Sequence, residues 1–168
     1  MKRATFQDVS TTDILKDSLS KMVPELVGYF NRRLGNLDDA ADAAGDTLVE
    51  VLRAPRKVPS DPVRFRQYVF GIARHVLARS RRGRIRHIEI ADRLKAELEG
   101  SEQYAAIPDD PLLADAIGCL GAKDQELLLL VAWEGFSIAD AGATLGLKPE
   151  AARKRYSRVR QALRTQLG

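Results

Sequence analysis

A single cysteine and two histidines among 168 residues close off several kinds of chemistry. Cys119 has no partner for an intrachain disulfide and no second thiol for a cysteine-based metal centre, so it reads as a small buried side chain. His75 and His87 sit in an arginine-rich tract that repels cations, and no His, Cys or carboxylate spacing suits a metal. Paired carboxylates beside a histidine and a phosphate-cradling glycine loop are missing too. The chain is therefore not expected to be an enzyme or to need a cofactor. Apolar runs are short, none approaching a membrane span, so no membrane insertion is expected. Lys2 and Arg3 are followed by Asp8 and Asp13 rather than an apolar core, which excludes a secretory signal. The expected setting is cytoplasmic.

Charge is plentiful and unevenly placed. The net charge is only +4, yet Asp38, Asp39, Asp42, Asp46 and Glu50 form a block without a basic residue. Arg64, Arg66, Arg74, Arg79, Arg81, Arg82, Arg84 and Arg86 then follow without an acidic one. Arg153, Lys154, Arg155, Arg158, Arg160 and Arg164 make a second basic block. Such segregation implies separate partners, with the basic segments open to polyanions.

Periodicity predicts an all-α chain of two small helical modules joined by a linker. Residues 1–12 are polar and unpatterned and are expected to form a loose arm, with the first module over 13–87. A helical pattern begins at Ile14, with Val23, Leu26, Val27, Phe30 and Leu34 on one apolar face. Pro24 is expected to start a new helix or kink this one. Gly35 stops it, and Asn36 can cap a second helix whose first turn carries Asp38 and Asp39. Leu37, Ala40, Ala41, Ala44, Leu48, Val51 and Leu52 form that helix's apolar side. Its acidic side, by itself, reads most simply as solvated surface. Two prolines make 54–60 a loop, and Asp61-Pro62 begins a third helix. Phe65, Val69, Ile72, Ala73 and Val76 form its buried stripe. Arg66, Arg74 and Arg81 lie off that stripe with Tyr68 and Phe70. Basic residues track a phosphate backbone and exposed rings stack on unpaired bases, although Phe70 suits the core equally. Residues 88–110 are acidic and weakly patterned and are expected to link the modules, with a short helix possible at the start.

The second module spans 111–168. After two supporting helices comes a helix-turn-helix over 137–163. Ser137 and Asp140 have the form of a capping box. Ile138, Ala141, Gly142 and Leu145 face inward, with Gly142 allowing a close crossing. Gly146 supplies a left-handed turn and Leu147 plugs the corner. On the next helix Ala152, Tyr156, Val159 and Leu163 face the core, leaving Lys154, Ser157, Arg158 and Gln161 opposite and Arg153 on the flank. A hydrogen-bonding basic face opposite a core face is what major-groove reading needs.

In this order and spacing the two modules resemble an alternative bacterial sigma factor of the extracytoplasmic-function (ECF) type. The likeness covers about 23–86 and 112–167, and is densest in FRQYVFGIARHVLARSRR at 65–82 and LGAKDQELLLLVAWEGFSIADAGATLGL at 120–147. It implies a non-catalytic subunit that binds core RNA polymerase, directs it to promoter DNA and helps melt it. Asp39, Asp42, Asp46 and Glu50 would meet the clamp of the largest subunit, and the second module would lie at the flap region. Lys57, Val58 and Ser60 would stand at the tip of a loop that captures a flipped base of the −10 element. Arg66, Tyr68, Arg74, His75, Arg81 and Arg82 would complete that surface. Arg153, Lys154, Ser157, Arg158 and Gln161 would read the −35 element. An anti-sigma factor is the expected regulator.

Several positions depart from the family pattern. Ala41 stands where an acidic residue is usual, Tyr68 where Trp is common and His75 where Asn is usual. Gly45 lowers helix propensity by about 1 kcal/mol relative to Ala. Ala151-Ala152 replaces a common Thr-Val and Lys154 a common Ser, so the −35 sequence should be this chain's own. A free-standing helix-turn-helix regulator is the competing reading. It requires a ligand pocket in the first module, where this sequence instead offers a second nucleic-acid surface.

Overall fold

The computed structural model describes residues 6–95 and 110–168, and the side chains of 13–83 and 110–168. Among these residues there are seven α-helices and no strand: α1 (Phe6–Leu34), α2 (Leu37–Arg53), α3 (Pro62–Lys95), α4 (Pro111–Gly118), α5 (Ala122–Ala132), α6 (Ile138–Thr144) and α7 (Pro149–Leu167). A single 3-10 turn, Pro55–Lys57, occupies the loop before α3.

One sequence expectation is overturned and another narrowed, since no new helix begins at Pro24. The arm expected at 1–12 is helical from Phe6, and α1 runs unbroken through Pro24. The ring removes one N–H from the hydrogen-bond ladder, but the stripe on either side keeps the helix in register. That stripe is Leu15, Leu19, Met22, Leu26, Tyr29 and Arg33, all buried. Its spacing alternates between four and three, and it ends on a cation where an apolar residue would be expected.

Local signals act as the sequence predicts at the helix ends. Asn36 accepts the Asp39 backbone N–H at 2.9 Å, and Asp61 accepts that of Arg64 at 2.9 Å. Gly35, Gly135 and Gly146 close α1, the segment after α5 and the α6–α7 turn at φ between 67 and 68°, a left-handed conformation that favours glycine.

Helix α2 buries Ala40, Ala43, Ala44, Thr47 and Val51. Its inward face is therefore rotated from the expected one, leaving Leu37, Val49 and Leu52 exposed. Small alanines let α1 and α3 approach closely, and the main core forms between these three helices. Phe70 is fully buried there, which decides between its two readings in favour of the core. Tyr29 stands edge-on to Phe70 at 5.2 Å, and Phe70 edge-on to Phe136 at 5.2 Å.

Phe136 belongs to the second half of the chain. With Leu127, Leu130, Ala141 and Leu145 it packs into the same core as α1 and α3, so the two halves share apolar contact. A second, smaller cluster of Ile117, Leu128 and Val159 ties α4 and α5 to α7. Cys119 ends α4 and is exposed, contrary to its sequence reading, because the short helix buries Ala116 and Ile117 instead. Residues 88–95 continue α3; the rest of the expected linker, apart from Asp110, lies outside the described residues.

Packing is tight where α6 crosses α7. A Cβ on Gly142 would stand 2.4 Å from the Cβ of Ala152. Alanine there would gain about 1 kcal/mol of helix propensity, but the overlap must push the two helices apart, at about 1–3 kcal/mol. Strain wins in this comparison. Gly142→Ala is expected to lower the denaturation midpoint of the chain, and an unchanged or raised midpoint in urea would refute that.

Candidate nucleic-acid interfaces

The helix-turn-helix is built by short-range bonds. The Ser137 hydroxyl accepts the Asp140 N–H at 3.0 Å and donates to the Asp140 carboxylate at 2.6 Å. The shorter Asp side chain thus bonds the hydroxyl, where a capping-box Glu reaches the backbone. Leu147 N–H returns to the Gly142 carbonyl at 2.8 Å and Gly146 N–H to Ala143 at 3.0 Å, closing the turn. Pro149 then starts α7, whose Ala152 and Val159 are buried while Tyr156 and Leu163 are half-buried.

That orientation leaves Arg153, Lys154, Ser157, Arg158 and Gln161 exposed together. A shallow depression of about 530 Å³ runs beside them, lined in part by Arg153, Ser157 and Gln161. Arg155 is used differently. Its guanidinium bonds Asp124 of α5 at 2.7 Å, fixing the reading helix to its support.

On the first half, Lys57 and Ser60 are exposed, whereas Val58 is half-buried against the main core. Val58 is therefore not at the loop's tip, because the 3-10 turn rotates it inward. His75 and Arg82 are exposed; Tyr68, Arg74 and Arg81 are half-buried. Tyr68 and His75 line a cavity of about 450 Å³ whose far wall is Ala143 and Thr144 of α6.

Arg66 is drawn away from this surface. It bonds the Glu25 carboxylate and the Glu134 carbonyl, and its guanidinium lies 3.9 Å from the centre of the Phe136 ring. Beside it, Gln67 donates to Asp140 at 2.6 Å.

On α2, Asp39, Asp42 and Asp46 are exposed, while Glu50 is half-buried and paired with Arg79 of α3. Asp42, Asp46 and Val49 share one helical face. A Cβ on Gly45 would meet nothing within 4 Å, so no packing demand explains that glycine.

The most elaborate polar cluster was not expected from the sequence. Arg33, its side chain 1% exposed, lies between Glu126 and Glu134 and bonds each at 2.9 Å. Tyr29 donates to Glu126 at 2.9 Å, and Arg32 adds a bond to Glu134. Burial, then the neighbouring Glu126 carboxylate, pushes the Tyr29 hydroxyl well above its ordinary value, which keeps it a donor. Burial works to lower the Arg33 value, but Glu126 leads the interactions that outweigh it and raise it. The available signals were Arg33 on the buried stripe of α1 and two glutamates bracketing an apolar run.

A capped helix-turn-helix at one end, with an acidic helix and an arginine-rich helix at the other, defines a two-module nucleic-acid-binding protein. The Sigma-70 region 2 family matches residues 19–87 and the Sigma-70, region 4 family matches 112–163. The ECF RNA polymerase sigma factor EcfG of Rhodopseudomonas palustris (strain TIE-1) is 31% identical over 156 residues, covering 90% of this chain and 84% of that protein. RNA polymerase sigma factor CarQ of Myxococcus xanthus is 28% identical over 162 residues, covering 93% of this chain and 90% of that protein. The chain belongs to the ECF family of RNA polymerase sigma factors. Sigma factor RpoE, solved in complex with the anti-sigma factor NepR from Bartonella quintana, superposes with a TM-score of 0.64 at 25% identity, covering 90% of this chain and 95% of that one. CnrH, solved with the cytosolic domain of CnrY, has the same fold, with a TM-score of 0.62 at 22% identity and coverage of 95% and 93%. Among the described residues no helix is long and apolar enough to cross a membrane.

Proposed function

We propose that this sigma factor uses a first module over 13–87 to hold core RNA polymerase and the −10 element, and a second over 111–168 to hold the −35 element, with 88–110 between them. The observation that carries this reading is the exposed row Arg153, Lys154, Ser157, Arg158 and Gln161 on α7. It stands in one chain with the exposed acidic face of α2. The first offers bidentate donors suited to guanine edges. The second offers carboxylates to a basic clamp, with Val49 beside them to be covered on docking. Tyr68 supplies a ring for an unstacked base, and His75, Arg74, Arg81 and Arg82 supply donors and phosphate contacts. Lys57 and Ser60 hold the exposed side of the preceding loop.

The chain performs no bond-making chemistry in this role; its work is binding and the stabilisation of opened DNA. An anti-sigma protein is its proposed restraint, as the Bartonella RpoE–NepR complex suggests. Reconstituted transcription with core polymerase, followed by mapping of the start sites, tests the whole reading. Specific initiation dependent on the chain is expected. Tight, specific operator binding by the chain alone, with no effect on core polymerase, would favour a free-standing regulator instead.

A further inference from the structure

Arg155 sits among the DNA-reading residues in sequence but not in space. At about 100° per residue it lies about 60° from Ala152 and about 40° from Val159, on the buried side of α7. Lys154, Ser157, Arg158 and Gln161 lie opposite. Its guanidinium meets the Asp124 carboxylate at 2.7 Å, with the two side chains 31% and 32% exposed.

Little else sets the rotation of α7 about its own axis. Its buried residues are Ala152 and Val159, which carry no polar group to fix a direction. Lys148 gives the helix no side-chain cap. The close approach of Gly142 to Ala152 sets the distance between α6 and α7 rather than the roll. Tyr156 bears on both apolar clusters, but apolar contact is non-directional. Among the described residues, Arg155–Asp124 is the one side-chain hydrogen bond or ion pair joining α7 to another helix. Asp124 is itself firmly placed. It lies in the first turn of α5, where the helix N-terminus favours a carboxylate, and Leu127 and Leu130 of that helix are buried in the main core.

We propose that Arg155 and Asp124 are positioning residues for −35 recognition: their ion pair sets the roll of α7, and with it sequence selectivity, while neither touches DNA. The proposal rests on the sigma-factor role given above, and its test separates the two. A roll of about 15° carries a side-chain tip ~6 Å from the helix axis through about 1.5 Å. Hydrogen bonds to base edges tolerate about 0.5 Å. A pair this exposed contributes little to stability, so its loss should leave the fold intact and disturb orientation.

Holoenzyme reconstituted from core polymerase and the full-length chain can be measured on a mapped promoter and on the same promoter with its −35 element scrambled. Arg155→Ala should lower the ratio of the two affinities about tenfold, the equivalent of one base contact. The slope of log affinity against log salt should not change, whereas a lost phosphate contact would flatten it by about 0.9. Asp124→Asn is the sharper test. Removing a negative charge from a DNA-binding module should, by charge alone, tighten binding to both promoters. The proposal instead expects the ratio to fall as far as in Arg155→Ala, and the double variant to fall no further than either single one. Equal loss on both promoters, with the ratio unchanged, would mean that the pair only supports folding and would overturn the proposal. A flattened salt slope in Arg155→Ala, or a ratio preserved in Asp124→Asn, overturns it too. If the wild-type chain gives core polymerase no promoter preference, the sigma-factor role fails. The pair is then judged on the free chain with a duplex that it selects from random sequence, where the same losses support the proposal and their absence refutes it.

Discussion

Replacing Arg153, Lys154 and Arg158 together by alanine is expected to abolish upstream promoter recognition while core-polymerase affinity is unchanged. All three side chains are exposed on the face of α7 opposite Ala152 and Val159, so their removal leaves the packing of the helix intact. Each bidentate base contact is worth roughly 1–3 kcal/mol, and lost phosphate contacts add a sequence-independent share. Even allowing for non-additivity between neighbours, initiation at a −35-dependent promoter should fall by about a hundredfold or more. Transcription assays beside a direct core-binding measurement check this. A triple variant that also loses core binding would contradict the division of labour between the modules.

The complementary change is Asp42→Ala with Asp46→Ala. These carboxylates lie one turn apart on the exposed face of α2, outside the buried set of Ala40, Ala43, Ala44, Thr47 and Val51, and alanine is at least as good a helix former. Folding stability should hold. Core affinity should drop by about ten- to a hundredfold, as close charge pairs across an interface couple by about 1.5 kcal/mol or more, and the loss should shrink at high salt. Binding of a −35 duplex should be unaffected. Unaltered core affinity would return this face to plain solvated surface.

How far these surfaces could be read from sequence depends on how local their causes are. Ser137, Gly142, Gly146 and Leu147 act on neighbours within five residues, and the turn they predict is the one observed. The stripe Ala152–Tyr156–Val159–Leu163 is likewise fixed by helical period, so the reading face opposite it follows. Position 58 was harder: Val58 follows the 3-10 turn and is half-buried against the core, and nothing adjacent to it in sequence signals that. The α1 helix starts at Phe6 because helix can propagate through polar residues that show no apolar period. Arg33 was harder still. Its partners lie 93 and 101 positions away, beyond any periodicity argument, and only their misfit within apolar surroundings hinted at a role. Arg66 was assigned to DNA from its charge, whereas Glu25 and Phe136 claim it through a contact no local pattern encodes.

The separation between Arg33 and its carboxylates has a further consequence. Because the two halves are joined, their association is intramolecular and governed by an effective concentration rather than by the concentration of the chain. A contact too weak to assemble two separate polypeptides at micromolar concentration can still hold one chain closed.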